Sequence, residues 1–375
     1  MPVLTIVHTE SSTGWGGQEI RIVLESMGLR ARGHDVRLIG PRGGAVIDRA
    51  RAMDIPAEAW DWNGAAGWFS IFRLARRLDS LSPSVVVTHS SRDAWVAALA
   101  SRVSRSRPAV VRMRHLSTPV STGRLTRWLY TGLSDLIVTT SEAIRRDLIE
   151  RNGYPAERIV SIPTRVDPAA YNRPEACAGA RLSMGIRDND FVLGTVSVLR
   201  SWKGHDLLLD AARDLRAAVP GLRIVIVGDG PQRERLRARV EDEGLREIVT
   251  MTGHREDVAE LLSAMDVFVF PSTGNEGVPQ AVLQAMAAGL PVVASSLPSI
   301  AEVVREGETG LLFPPGDGPA LVEKVLHLAG DADLRRRMGE AGRIQVRERF
   351  SESGMLDRLE EVYCKAALRR GRGGR

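Results

Sequence analysis

The chain has 375 residues, 43% hydrophobic and 26% charged, with a net charge of +5; this is too long for one small core, and two α/β domains are the natural expectation. Two cysteines, Cys177 and Cys364, form no pattern, so a reducing compartment and no disulfide framework are expected. No window approaches ~18 consecutive apolar residues, and MPVLTIVHTE has neither a basic segment nor a long apolar run, so neither a membrane span nor a secretory leader is expected.

In chain order, the first half shows strands at Val3–Val7, Val36–Ile39, Val85–Thr88, Ala109–Arg112 and Leu136–Thr139, with helices at Glu19–Arg32, Phe69–Leu81, Trp95–Val103 and Glu142–Asn152 between them. Ile159–Ile162 is a last strand. A linker rich in Pro and Ala falls around Thr164–Glu175. A second series then runs through strands Phe191–Val196, Leu222–Val227, Ile248–Met251, Val267–Phe270, Pro291–Ala294 and Gly310–Phe313. Helices at Asp206–Val219, Gln232–Glu243, Asp257–Ala264, Gln280–Ala288, Ile300–Arg305 and Pro319–Ala329 alternate with them, and C-terminal helices follow from about Ala332 to Ala367. Short apolar runs alternating with amphipathic stretches predict parallel sheets with crossover helices, that is, two doubly wound Rossmann-like domains in tandem. The expected division is 1–165, 166–350, and a C-terminal helix with a basic tail over 351–375 that packs back toward the first domain. Ligands of two such domains are expected outside the carboxyl ends of the strands, in a cleft between them.

Charge is uneven. Residues 1–165 carry +8, residues 166–364 carry −8 and the tail carries +5. A basic half implies an anionic partner, although a solvated arginine-rich surface gives the same pattern. No zinc knuckle, helix-turn-helix or basic–aromatic interleaving is present, so no nucleic acid is expected. An anionic membrane surface fits, and the aromatic stretch Trp60-Asp61-Trp62 to Trp68-Phe69 is read either as a lipid contact or as core packing.

Several strand-end loops carry chemistry. Gly14-Trp15-Gly16-Gly17 follows the first strand and opens a helix, where backbone N–H groups can approach a phosphate. Arg200 and Lys203 follow the first strand of the second half, and Lys203 is one of only three lysines beside 48 arginines. An arginine fork and a compact ammonium together suit a diphosphate. Gly228-Asp229-Gly230 and Gly253-His254-Arg255 lie on the same predicted rim, each also readable as a simple turn. Asn275 to Ser295, NEGVPQAVLQAMAAGLPVVAS, places Glu276, Gly277 and Val278 on a tight loop at a helix mouth. In the first half, His89 and His115 end strands, where a histidine can serve as donor or acid/base or be a satisfied structural residue. HExxH, CxxC, GxSxG and P-loop spacings are absent, and the one Asp-x-Asp, Asp188–Asp190, precedes a strand, so no metal is expected.

The Glu276 segment, together with GWGGQE at Gly14–Glu19, VTHSSRDAW, SEAIRRDLI, LRSWKGHDLLLDA, IVGDGPQRERL and TGHREDV, resembles family 4 of the retaining glycosyltransferases, which have the GT-B architecture. The resemblance covers nearly the whole chain and is most specific at Glu276. It implies transfer of a sugar from a nucleotide-sugar donor, UDP-sugar favoured over GDP-sugar, with retention and without a metal or other cofactor. It implies that Lys203 binds the diphosphate, that Glu276 contacts the sugar hydroxyls, that Gly16 and Gly17 approach the diphosphate, and that His115 hydrogen-bonds the sugar. Glu276, His115 and Lys203 are the expected catalytic residues. Gly16, Gly17, Arg200, Lys203, Gly228, Gly253, His254, Gly277, Val278 and Gln284 are the expected donor-binding residues.

Three positions depart from the family pattern. Gln284 stands where a second glutamate usually holds the ribose, Val198 stands where an arginine is common, and Thr164-Arg165 replaces Asn-Gly. The expected function is a metal-independent hexosyltransferase acting on a glycan or lipid-linked acceptor, in cell-surface polysaccharide or lipopolysaccharide synthesis. The expected location is cytoplasmic, peripheral at the inner membrane face. A nucleotide-sugar epimerase or phosphorylase of the same fold, and a non-catalytic nucleotide-sugar-binding module, are the alternatives.

Overall fold

The computed structural model describes residues 2–62 and 67–372. The chain divides into two compact units, Met1–Thr164 with Glu352–Arg375, and Arg165–Ser351. In the first unit seven strands, β1 (Thr5–Thr9), β2 (Asp35–Pro41), β3 (Ala57–Trp60), β4 (Val85–Thr88), β5 (Ala109–Arg114), β6 (Leu136–Thr139) and β7 (Ile159–Ser161), form one parallel sheet in the order β3-β2-β1-β4-β5-β6-β7. The second unit has six parallel strands, β8 (Phe191–Val196), β9 (Leu222–Val227), β10 (Val249–Gly253), β11 (Val267–Phe270), β12 (Val292–Ser295) and β13 (Gly310–Phe313), in the order β10-β9-β8-β11-β12-β13.

Central strands such as VVVT at β4 and VFVF at β11 are buried along their whole length. Helices cover both faces of a parallel sheet, so these strands carry no polar alternation. The exception is β3, AEAW, a half-buried edge strand that the apolar pattern does not predict; its Glu58 pairs with Arg77 of the helix Gly67–Leu81. In each unit the direction of winding reverses once, between β1 and β4 and between β8 and β11. Loops leaving the carboxyl ends of strands at such a reversal diverge and leave room for a ligand.

The helix Glu352–Arg372 completes the first unit's core: Leu359, Tyr363 and Ala366 are fully buried against a cluster that includes Ile6, Val85 and Val111. Arg32 pairs with Asp357 at 2.7 Å and Glu360 at 2.9 Å, and His34 Nε2 meets Glu360 at 2.9 Å.

Two readings gain detail. The linker region contains a short helix, Pro168–Tyr171, capped by Asp167, which accepts from the Ala169 N–H at 3.0 Å. Trp60 and Trp62 are buried in the first unit's core, so they touch protein rather than lipid, whereas Phe69 is exposed. Residues 63–66 of that aromatic stretch, and 373–375 of the basic tail, lie outside the described residues.

Candidate active site

In the second unit, residues 197–204 leave β8 and residues 271–279 leave β11, flanking the reversal. Gly204 draws the two loops together. Its φ is +73°, and a Cβ there would stand 1.9 Å from the Pro271 carbonyl oxygen, so no other residue fits this crossing. The Trp202 carbonyl accepts from the Thr273 N–H at 2.7 Å and from the Ser272 hydroxyl at 2.9 Å. Lys203 is thereby delivered to Glu276, with its Nζ donating to Oε1 at 2.7 Å and Oε2 at 3.0 Å. The Phe270 ring lies beneath the same ammonium, 5.0 Å from centroid to Nζ.

Glu276 is 5% exposed. A carboxylate so buried is costly unless paired, and here Ser272 Oγ supplies a further bond to Oε1 at 2.6 Å. Ser299 Oγ holds the Glu276 backbone carbonyl at 2.9 Å. Asn275 turns the chain into Glu276 with a left-handed φ of +61°, a conformation asparagine tolerates better than most residues. Gly277 and Val278 then lead to the helix Gln280–Ala287. Val278 is buried in the core, so it can offer a ligand only its backbone. The helix mouth has no side-chain cap, and Gln280 Oε1 is buried there without a partner.

Gln284 is one helical turn further on. Its Nε2 donates to Tyr171 Oη at 2.7 Å. Burial raises the Tyr171 pKa, with the Gln284 bond opposing. Arg200 stands apart from the Lys203–Glu276 pair; it is exposed, with its guanidinium 5.2 Å over the Trp202 ring. His254 is exposed. Gly228 and Gly253 knit neighbouring loops: a Cβ on Gly228 would stand 1.9 Å from Ser197 O, and its N–H donates to the Gly253 carbonyl at 2.9 Å.

In the first unit, helix Gly17–Ala31 begins at Gly16 with no side-chain cap. Gly14, Gly16 and Gly17 all lack left-handed backbone, so the turn itself does not require glycine. The buried Glu10 carboxylate organises this loop, accepting from the N–H groups of Ser11 and Ser12 at 2.7 Å each, from Gln18 at 2.5 Å and from the Ser90 hydroxyl. Next to it Asp93 accepts from Thr9 Oγ1 at 3.0 Å and from the N–H groups of His89 and Ser90 at 2.9 Å each. Burial, reinforced by Glu10, pushes the Asp93 carboxyl up to about 7.

At the β1/β4 reversal, His8 Nδ1 meets His89 Nε2 at 2.9 Å, and His89 Nδ1 meets His115 Nε2 at 2.9 Å. All three rings are buried. Burial lowers His8 to about 3 and holds His89 and His115 well below the usual imidazole value; the other two histidines, then Arg112 and Arg21, add to the shift at His89, and Arg21, Arg112, Arg114 and His8 add to it at His115.

The structure thus joins Lys203 to Glu276 and His89 to His115. It leaves Arg200 and His254 at the surface. Ser272, Ser299, Tyr171, Glu10 and His8 were not singled out from the sequence. Of these, only His8 had a signal, as a third histidine near the carboxyl end of a predicted strand.

Residues 15–170 match the description Glycosyltransferase Family 4, and residues 181–345 match Glycosyl transferases group 1. The chain is 28% identical to an exopolysaccharide phosphotransferase of Streptomyces coelicolor over 89% of its own length and 36% of that protein's. It is 29% identical to a phosphatidyl-myo-inositol mannosyltransferase of Mycobacterium leprae over 93% and 92% of the two chains. It is 31% identical to a D-inositol 3-phosphate glycosyltransferase of Stackebrandtia nassauensis over 63% and 55%. It therefore spans 36% of the first of these and 55% of the last.

In structure, Anabaena HepE in complex with UDP-glucose aligns with a TM-score of 0.87 at 24% identity, covering 96% of this chain and 100% of that one. A glycosyltransferase from Rickettsia africae aligns at 0.87 and 20%, covering 98% and 99%. These likenesses identify the two tandem Rossmann-like units as the GT-B fold. Since both family descriptions fall in succession along the sequence, one on each unit, the chain belongs to family 4 of the glycosyltransferases, related to enzymes that build polysaccharides and glycolipids.

Proposed function

We propose that the chain is a metal-independent hexosyltransferase that moves a sugar from a UDP-sugar, in preference to a GDP-sugar, to a glycan or lipid-linked acceptor with retention of configuration. The observation that carries this reading is the Lys203–Glu276 pair at the β8/β11 reversal, beside an uncapped helix mouth. A diphosphate is a stronger attraction for the ammonium than a carboxylate already served by Ser272. On donor binding Lys203 would turn to the phosphate oxygens, and Glu276 would accept from sugar hydroxyls. The bond from the anomeric carbon to the diphosphate oxygen then breaks with its electrons passing to that oxygen, where Lys203 and the helix N–H groups stabilise the charge. The acceptor hydroxyl attacks from the same face and yields its proton to the departing oxygen, with Glu276 positioning the sugar.

Gln284 Oε1 would accept from a ribose hydroxyl while its Nε2 stays with Tyr171. Roles toward the donor for Gly16, Gly17, Arg200 and His115 rest on the family resemblance. The UDP preference is supported by the neighbours solved with UDP and UDP-glucose, and the acceptor class by the names of the relatives. A cytoplasmic location with peripheral contact to an anionic membrane is part of the proposal. Its support is the +8 charge of residues 1–165 and the outward Phe69 and Phe72 on one helix; no helix among the described residues is long and apolar enough to cross a membrane.

The test is a thermal-shift screen with UDP-, GDP- and ADP-sugars. A donor at 100 times its Kd adds roughly 2.7 kcal/mol of stability, so UDP-sugars should raise Tm most. No shift with any donor would sink the reading. Transfer should then persist in a chelator, and activity lost to EDTA and restored by Mg²⁺ would contradict metal independence.

A further inference from the structure

Three neighbouring strands, β1, β4 and β5, bring His8, His89 and His115 into a single file. Neighbouring ring centroids lie 5.2 Å apart, with planes inclined 27° and 24°. Combined with N···N separations of 2.9 Å, this places the imidazoles nitrogen to nitrogen and nearly edge to edge. Among the described residues no carboxylate pairs with any of the three rings: Asp93 bonds the His89 backbone, and Glu10 bonds the glycine loop. Arg112, Arg21 and Arg114 surround the file with positive charge, which disfavours an imidazolium within it.

Each neutral imidazole has one N–H and one acceptor nitrogen. With two internal bonds to make, all three rings must point the same way, which leaves two arrangements. In one, protons run toward His8 and an N–H stands at His8 Nε2. In the other they run toward His115, and His8 Nε2 keeps a bare lone pair. His8 Nε2 is buried with no partner. A buried N–H without an acceptor is the rarer and costlier defect, so the second arrangement prevails. The open end of the file is then His115 Nδ1, which has no hydrogen-bond partner among the described residues but, unlike His8 Nε2, is not sealed from solvent.

We propose that His8 and His89 are positioning residues that fix the tautomer of His115, so that Nδ1–H of His115 is presented as a donor to an oxygen of the bound substrate. This rests on the reading of His115 as a substrate contact. A file of neutral rings supplies a directed donor without a charge, which suits recognition of a neutral sugar or acceptor hydroxyl better than an imidazolium would.

The experiment is a two-bond ¹H–¹⁵N correlation spectrum of the full chain labelled with ¹⁵N-histidine, near pH 7. His115 is expected as the Nδ1–H form. In His89→Ala it should relax to a mixture rich in Nε2–H, with kcat/KM for sugar transfer falling about tenfold, the worth of one hydrogen bond. His89→Gln, which retains a donor and an acceptor, should recover part of that loss. A wild-type His115 in the Nε2–H form, or a His115 tautomer unchanged in His89→Ala, overturns the inference. If His89→Ala does not fold, the wild-type spectrum alone decides. The spectrum needs no turnover, so it is judged separately from the donor screen that decides the proposed function.

Discussion

Lys203 divides its ammonium between both oxygens of Glu276, so the two residues named for sugar and phosphate compete for each other before either meets a donor. Glu276→Gln removes that competition. UDP alone should then bind at least as tightly by calorimetry while sugar transfer falls tenfold or more; weaker UDP binding would contradict the exchange. Lys203→Ala should lower kcat by about 10²–10³, the range for losing one group that stabilises developing charge, and near-normal turnover would remove it from the site. Gln284→Glu should keep or tighten donor binding, because the Tyr171 hydroxyl can reverse and donate to a carboxylate; a lost donor site would reassign the position. Lys203 and Glu276 were legible because a rare lysine and a distinctive loop mark them. Ser272 and Ser299 were not, since serines are common and only the fold shows which hydroxyl reaches the Glu276 carboxylate and which its backbone carbonyl.

Loops after β8 and β11 act as one element because Gly204 lets the second run against the first. Gly204→Ala imposes a left-handed alanine and a clash with backbone that cannot yield. It should cost about 3 kcal/mol or more in urea denaturation and weaken donor binding with it; a loss under ~1 kcal/mol would mean the loops separate freely. The strands of both sheets were largely readable, with ends shifted by a few residues, because burial on both faces leaves unbroken apolar runs. β3 escaped because an edge strand tolerates Glu58, whose charge is answered by Arg77 from the helix that follows it, Gly67–Leu81. The Pro168–Tyr171 helix escaped because four residues show no period; it carries Tyr171 to Gln284.

At the scale of the molecule, buried histidines set the response to acid. Burial holds His8 near 3 and His205 near 4, and His89 and His115 well below the usual value. The unfolded chain takes up protons at these sites as pH falls through about 6.5, the folded chain does not, and stability present above that pH is lost below it. Asp93, raised to about 7, acts in the opposite sense, as do Glu19 and Glu25, also raised by burial. The four histidines outweigh them between pH 7 and 5, so Tm should fall over that interval; a rise in Tm would show that the carboxyls dominate. The unit boundaries carry a different consequence. Residues 165–351 form a complete sheet with its own core, and the side chain of Arg165 bonds the Ser351 carbonyl, tying the two ends of that segment together. The first unit still lacks Leu359, Tyr363 and Ala366 until the helix Glu352–Arg372 has emerged. On the ribosome the second unit can therefore finish folding before residues 352–372 emerge, while the first, though begun earlier, waits for those residues with part of its apolar surface uncovered.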